Sequence, residues 1–286
     1  MRRSVRRWLI RLTLGPMLLV LAHVVLFKFV PVPITPLMVI RWTEGHSISK
    51  DWVAMEDMSP HLARAVIAAE DNRFCEHDGV DWSAVGDVVE EYRDEGRLRG
   101  ASTVSMQTAK NLYLWPSRSV VRKGLEFGLV HVLEAAWTKQ RIMEVYLNIA
   151  EFGPGIYGVQ AASQHHYGRD ASDLTFVQSA ALVSILPAPL RRDPTVKNKA
   201  MGKRVGRIRR SVGNLGPLLE CVPEPPRSRI KRPIKTPPKP IVDSEADATE
   251  AATPEPQPDT EGGFPSHSQA TKKNRRGKNS RKNKTQ

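Results

Sequence analysis

Hydrophobic side chains between about residues 60 and 190 recur every three or four positions, which is the spacing of one face of an α-helix. Four stretches show this spacing clearly, and they begin at Leu62, Val85, Val121 and Leu174. Ser83 and Ser172 stand where the N-caps of two of these helices are expected. No run alternates polar and apolar residues as a half-buried strand does. The pattern therefore predicts a mainly α body with functional loops between its helices.

A different hydrophobic pattern lies at the N-terminus, where residues 12–27 carry no formal charge. With its flanking residues this run is long enough for a transmembrane signal anchor over residues 12–30. Residues 1–11 contain five Arg and no acid, so the positive-inside rule places them in the cytoplasm and the rest of the chain outside it. A cleaved signal peptide is the alternative, but no small-residue cleavage site follows the run.

The formal net charge of +13 would indicate a nucleic-acid partner if it lay on the folded body. It lies at the two ends instead. Between residues 51 and 190 the chain has 12 Lys and Arg against 19 Asp and Glu. We therefore expect no nucleic-acid partner.

The C-terminal part is rich in proline, since residues 223–265 hold eleven of the 22 prolines of the chain. Such a composition does not bury enough apolar surface to offset the entropy lost on ordering, so a disordered tail is predicted. The tail is either simply solvated or an electrostatic tether to anionic lipid or wall polymer.

Cysteine occurs only twice, at Cys75 and Cys221. Two residues this far apart in sequence are too few for a disulfide framework or a zinc site. Two unpaired thiols are the expectation, although pairing is left open.

The densest polar group follows the first predicted helix and contains Glu70, Asp71, Arg73, His77 and Asp81. A carboxylate that leaves an apolar helix face is partly desolvated, which raises its pKa and suits it to act as a general base near neutral pH. A solvated or capping role for the adjacent Glu and Asp is the alternative.

A second polar group enters another helix at residues 100–111. Ser102 and Thr103 offer hydroxyls and free backbone N–H groups there, and Lys110 adds a cation two turns later. Together these groups suit an anionic phosphate, whereas a plain N-cap is the alternative. For Arg122 and Glu126, which follow, the alternative is an ion pair on an exposed helix face.

Taken together, the motifs resemble the peptidoglycan glycosyltransferase domain of class A penicillin-binding proteins, most closely the monofunctional biosynthetic peptidoglycan transglycosylases. The matching motifs are Glu70-Asp71-x-x-Phe74-x-x-His77, Gly100-Ala101-Ser102-Thr103-x-x-x-Gln107-x-x-Lys110-Asn111, Arg122-Lys123-x-x-Glu126 and Lys139-x-Arg141-Ile142-x-x-x-Tyr146-Leu147-Asn148. The family usually has two consecutive glutamines where this chain has Met106-Gln107, so one polar contact in the donor pocket is expected to be missing.

The resemblance covers about residues 55–195 and implies a lysozyme-like helical fold. The predicted organisation is a cytoplasmic N-terminus (1–11), a transmembrane anchor (12–30), a connector (31–54), the glycosyltransferase domain (55–195), a basic extension (196–222) and the disordered tail (223–286).

The activity that the resemblance implies is polymerisation of lipid II, a lipid-linked disaccharide-pentapeptide, into glycan strands. It would act at the outer face of the cytoplasmic membrane, invert the anomeric carbon and release undecaprenyl diphosphate. The general base is expected at Glu70. A second carboxylate, which assists departure of the diphosphate or organises the cations near it, is expected at Glu126. The implied substrate-binding residues are Asp71, Arg73, Ser102, Thr103, Gln107, Lys110, Asn111, Arg118, Arg122 and Lys123.

The expected partners are lipid II, the growing strand and cytoplasmic membrane lipid, with other wall-synthesis proteins left open. No metal-binding residues are expected, and a divalent cation (Mg²⁺ or Mn²⁺) at the diphosphate is left open.

Two other functions are alternatives to a glycosyltransferase. A lysozyme-like hydrolase would also use a carboxylic acid on a helical scaffold, but it needs no phosphate pocket, so Lys110 and Arg118 argue against it. A catalytically idle scaffold could recruit wall or division proteins through its tail, but the retained residues at the matching positions disfavour it. Cations beside a departing diphosphate would instead stabilise the transition state of a transfer reaction.

Overall fold

Helices dominate the computed structural model, which describes residues 2–96, 100–117 and 119–222. The predicted tail (223–286) and Arg118 lie outside the described residues. In chain order the described helices are α1 (Arg2–Phe27), α2 (Pro36–Thr43), α3 (Pro60–Glu70), α4 (Trp82–Glu95), α5 (Val104–Tyr113), α6 (Val120–Ala136), α7 (Lys139–Ile149), α8 (Val159–Tyr167), α9 (Phe176–Ile185) and α10 (Lys199–Asn214). The predicted mainly α class is confirmed.

A small mixed sheet accompanies the helices. Its strands are β1 (Ser49–Lys50), β2 (Glu151–Gly153) and β3 (Ile156–Tyr157), in the order β1-β3-β2. Strand β3 runs parallel to β1 and antiparallel to β2. The strands are too short to produce an alternating pattern in the sequence.

Two helices begin at other residues than predicted. Helix α4 is capped by Asp81, whose carboxylate accepts the Ala84 N–H at 3.0 Å, so Ser83 lies inside the first turn. Helix α9 is capped by Thr175, which forms a capping box with Gln178. The capping box satisfies two backbone donors reciprocally, and Ser172 has no Glu or Gln three residues later.

Two sets of packed helices position the site. Helix α3 packs against α9 and α10, while α5 packs against α6 and α7. Buried side chains such as Val66 on α3, Val183 on α9 and Leu147 on α7 belong to one core. The C-terminal end of α3 and the N-terminal end of α5 therefore lie next to each other on this shared hydrophobic core.

Helix α1 is continuous and ends against the folded body. The Trp137 indole donates to the Val24 carbonyl at 2.8 Å, and the Arg141 guanidinium donates to the carbonyls of Phe27 (2.7 Å) and Val30 (2.6 Å). The Phe27 carbonyl is one that the end of a helix leaves free, whereas the Val24 carbonyl also accepts the Lys28 N–H. Of the described helices, none combines the length and apolar character needed to cross a membrane, so the predicted span over residues 12–30 is not supported.

The two cysteines are bonded to each other. Cys75 and Cys221 form a disulfide with a Cα–Cα distance of 5.5 Å, so the expectation of two unpaired thiols is wrong. The segment after α9 folds back over α3, and this long-range packing brings together residues that lie 146 positions apart.

Candidate active site

Glu70 is the last residue of α3 and lies partly buried where that helix meets α5. The amide of Gln107 donates to Glu70 Oε2 at 3.0 Å. Burial raises the pKa of Glu70, and the Gln107 hydrogen bond and the nearby Lys110 lower it in part. The carboxylate thus has the partly desolvated setting that a general base requires.

Tyr146 orients the amide that contacts this carboxylate. Its hydroxyl donates to Gln107 Oε1 at 3.2 Å, which leaves the amide nitrogen to face Glu70. Tyr146 lies on α7 and is fully buried, and burial raises its pKa well above the ordinary value. Sequence reasoning matched Tyr146 to a motif but found no role for it.

Asp71 connects the end of α3 to the start of α5. Its carboxylate accepts the Val104 N–H at 2.9 Å and lies 3.0 Å from His77 Nε2. Because His77 Nδ1 accepts the Gly79 N–H at 3.1 Å, the ring proton sits on Nε2 and points at Asp71. The buried Asp71 therefore positions the turn that follows Glu70.

The predicted phosphate-binding segment, residues 100–111, comprises the residues that lead into α5 and most of that helix. Thr103 caps the helix by accepting the Met106 N–H at 3.1 Å, and its hydroxyl donates to the Gly79 carbonyl. Ser102 accepts a hydrogen bond from Lys123 Nζ at 3.0 Å. The N-cap interpretation thus holds for Thr103, while Ser102 belongs to the cation cluster on α6.

Glu126 lies on α6 and is only 2% exposed. One of its oxygens accepts from Arg122 at 2.5 Å and the other from Lys123 at 2.6 Å. This burial excludes an ion pair on an exposed helix face. The carboxylate holds two cations of its own helix in place, while its role toward a diphosphate stays a prediction.

The ammonium group of Lys110 differs from those two cations. It makes no hydrogen bond or ion pair with any residue that the structure describes. Burial lowers its pKa, and the charge of Glu126 raises it in part. Lys110 lines a cavity of about 620 Å³, together with Gln107, Asn111, Arg122 and Tyr146. The ammonium group is therefore available to a ligand in this cavity.

Two further arginines relate differently to the site. Arg73 is about half exposed and pairs with Glu76 at 2.7 Å, and it does not line the cavity. Arg192, for which sequence analysis predicted no role, contributes a positive charge that lowers the pKa of Glu70. Arg118, predicted to bind the diphosphate, lies outside the described residues.

No cluster of three or more metal-binding side chains occurs in the described ranges. Both oxygens of Glu126, the acid closest to the cation cluster, are engaged by Arg122 and Lys123.

The chain is also similar in sequence to known proteins. A family described as Transglycosylase matches residues 38–212. The chain belongs to the transglycosylase family. The predicted resemblance is thereby confirmed, and so is the prediction that the protein is a glycosyltransferase.

Several curated relatives of this transglycosylase are named biosynthetic peptidoglycan transglycosylase. The Caulobacter vibrioides protein is 46% identical over 228 residues, which are 78% of this chain and 100% of the relative. The Rhodospirillum centenum protein is 45% identical over 214 residues, 74% of this chain and 93% of the relative. The Marinomonas protein is 48% identical over 192 residues, 67% of this chain and 84% of the relative.

Proposed function

We propose that this transglycosylase polymerises lipid II into glycan strands and releases undecaprenyl diphosphate. The proposal depends on one observation: two groups of opposite charge lie on neighbouring helices. Glu70 is a partly desolvated carboxylate, and Lys110, on the neighbouring helix, is a partly buried cation with no ion-pair partner in the part of the chain that the structure describes. The names of the relatives supply the substrate class, peptidoglycan.

In the proposed reaction, Glu70 removes the proton from the 4-hydroxyl of the acceptor sugar as this oxygen attacks the anomeric carbon of the growing strand. The bond from that carbon to the lipid diphosphate breaks, and negative charge develops on the leaving oxygen. Lys110 stabilises this charge more in the transition state than in the ground state. Attack from the face opposite the diphosphate inverts the anomeric carbon.

The cations on α6 would support the leaving group. Arg122 and Lys123 are fixed by Glu126, and Ser102 adds a contact to Lys123. A fixed cation pair loses little further freedom when a diphosphate binds, so it favours the charged transition state. We propose that Asn111, which lines the same cavity, contributes a polar contact to the substrate.

We also propose that the enzyme acts at the outer face of the cytoplasmic membrane with its N-terminus inside. The basic residues 1–11 support this orientation. The Cys75–Cys221 disulfide supports an oxidising compartment. Exposed apolar side chains, among them Leu18 and Phe29, suit contact with membrane lipid.

For the divalent cation, we propose that Mg²⁺ or Mn²⁺ enters with the substrate diphosphate, because Glu126, the described carboxylate beside the α6 cations, already has both oxygens engaged. Polymerisation measured with and without a chelator tests this point. Loss of activity on chelation at every lipid II concentration, with a metal retained by the substrate-free enzyme, would contradict it.

The main test compares the wild type with Glu70→Gln in polymerisation of purified lipid II. The substitution keeps the shape of the side chain but removes the basic oxygen, so strand formation should fall by about 10²-fold or more. Circular dichroism should show an unchanged fold. Near-normal activity of the folded variant would refute the assignment of the base.

A truncation distinguishes the enzyme from the scaffold alternative. Removing residues 223–286 should leave polymerisation of lipid II intact, because the site lies before residue 193. A protein that acts through its tail would lose its role instead.

A further inference from the structure

The disulfide joins the turn beside Glu70 to the C-terminal end of the described chain. Cys75 lies five residues after Glu70, in the connection between α3 and α4, and Cys221 follows α10. Both cysteines are partly exposed, so a small dithiol can reach the bond. The bridge therefore attaches a distant segment to the turn that carries the proposed base.

Noncovalent contacts hold the same two segments together. The Asn72 side chain and the Ser211 hydroxyl are within hydrogen-bonding distance, at 3.2 Å. Helix α10 packs on both α3 and α9, and its Ile208 is buried in the core. Beyond the helix, Leu215 and Val222 are buried as well. Residues 199–222 thus form a clamp across α3, which we call the C-terminal clamp.

On the opposite side, the turn is held by Asp71, which contacts Val104 and His77. The turn therefore has two anchors, one to α5 and one to the C-terminal clamp. The charged groups around Glu70 are Asp71 beside it, Lys110 on α5, and Arg192, which precedes the clamp and donates to the Ser184 carbonyl of α9 at 3.0 Å. A shift of the clamp would change the surroundings of Glu70 without touching the phosphate-binding cations on α6.

We propose that Cys75 and Cys221 are positioning residues, whose disulfide holds the C-terminal clamp on the catalytic turn and thereby keeps Glu70 in its reactive place. The proposal rests on the proposed function of Glu70. With the bridge closed, the turn is fixed on both sides. With the bridge open, the turn keeps its Asp71 anchor but is joined to the clamp by noncovalent contacts alone, and turnover falls.

Opening the bridge is a two-electron reduction by a dithiol. The sulfur–sulfur bond breaks, each cysteine sulfur gains a hydrogen, and the dithiol becomes a disulfide as it loses two hydrogens. Reoxidation reverses the exchange. The proposal thus predicts a reversible effect on the rate.

The experiment uses the purified full-length protein and lipid II. Rates are measured against lipid II concentration and pH, before and after treatment with dithiothreitol, and free thiols are counted in each sample. The matched control is the double variant Cys75→Ser/Cys221→Ser, which has no bridge to reduce. Circular dichroism of every sample reports whether the fold persists.

Reduction of the wild type should lower kcat by roughly tenfold to a hundredfold, because small displacements of a catalytic group have effects of this size. KM should stay near its oxidised value, since the phosphate-binding cations are untouched. The acid limb of the pH profile should move to higher pH as the released turn carries Glu70 away from Arg192, which stays bonded to the Ser184 carbonyl of α9. Reoxidation should restore the rate, and the double variant should behave as the reduced enzyme with or without dithiothreitol.

Unchanged kcat and pH profile in fully reduced wild type would overturn the inference while leaving the proposed function intact. A fall in rate that accompanies loss of the helical signal would also overturn it, because the bridge would then only stabilise the fold. An oxidised wild type that does not polymerise lipid II would instead refute the proposed function, and the inference with it.

Discussion

Replacing Gln107 with Leu should move the pH dependence of the reaction in a direction that the structure determines. Glu70 must be unprotonated to accept a proton, so activity rises with pH as this carboxyl ionises. Burial raises its pKa above the usual value, and the 3.0 Å hydrogen bond from Gln107 partly offsets that rise. Without the amide the pKa should rise further, and the acid limb should shift to higher pH.

The size of the shift follows from the energy of this bond. A hydrogen bond to a charged group contributes about 1.5–3 kcal/mol, and one pKa unit corresponds to about 1.4 kcal/mol. Water can replace part of the lost bond at the partly exposed Glu70, so we expect a net loss of about 1.4 kcal/mol, which corresponds to a factor of about ten. At a pH below the limb, kcat/KM should then fall about tenfold relative to wild type, with a smaller loss well above it.

The assay is a profile of kcat/KM against pH for wild type and Gln107→Leu, because this parameter reports groups of the free enzyme. Tyr146→Phe is the matched control: it removes the hydroxyl that orients the amide but keeps the amide itself, so its shift should be smaller. A uniform loss at every pH, with the acid limb unmoved, would mean that Gln107 acts only on the substrate. That result would refute the argument about Glu70.

Three other substitutions test the site and its supports. Lys110→Ala should lower kcat/KM for lipid II by about 10²-fold, and normal rates at limiting substrate would contradict a phosphate site there. Glu126→Gln removes the buried charge between Arg122 and Lys123, so it should destabilise the protein by about 3 kcal/mol in chemical unfolding and slow polymerisation; an unchanged unfolding midpoint would count against the buried pair. Gly79→Ala should destabilise by about 1–3 kcal/mol, because φ is 93° and the new methyl group would lie 2.9 Å from a Val130 methyl; wild-type stability in thermal unfolding would argue against this.

Much of the site could be predicted from local sequence. Glu70 follows an apolar helical pattern, and Lys110 lies two turns after Thr103, so both positions can be located without the fold. The helix periodicity likewise predicts α3 and α6, because a core-facing helix repeats its apolar side chains every three or four residues.

Other features depend on contacts between distant segments, and local patterns contain no signal for them. The hydrogen bond from Tyr146 to Gln107 joins α7 to α5, and the disulfide joins residues 146 positions apart. The burial of Glu126 also could not be predicted, since an Arg-Lys-x-x-Glu spacing is equally compatible with a solvated helix face. For α9, a local signal did exist: the Thr175 and Gln178 pair has the spacing of a capping box.

The hydrogen bonds that hold the end of α1 to the folded body have a practical consequence for N-terminally truncated forms of the enzyme. Trp137 is 4% exposed, and its indole N–H donates a hydrogen bond to the Val24 carbonyl. Deleting the first 27 residues would therefore expose this aromatic ring and leave its N–H group without that acceptor. The same deletion would remove one carbonyl that Arg141 now binds. A catalytic fragment that begins after α1 should therefore aggregate more readily than one that retains the last two turns of this helix.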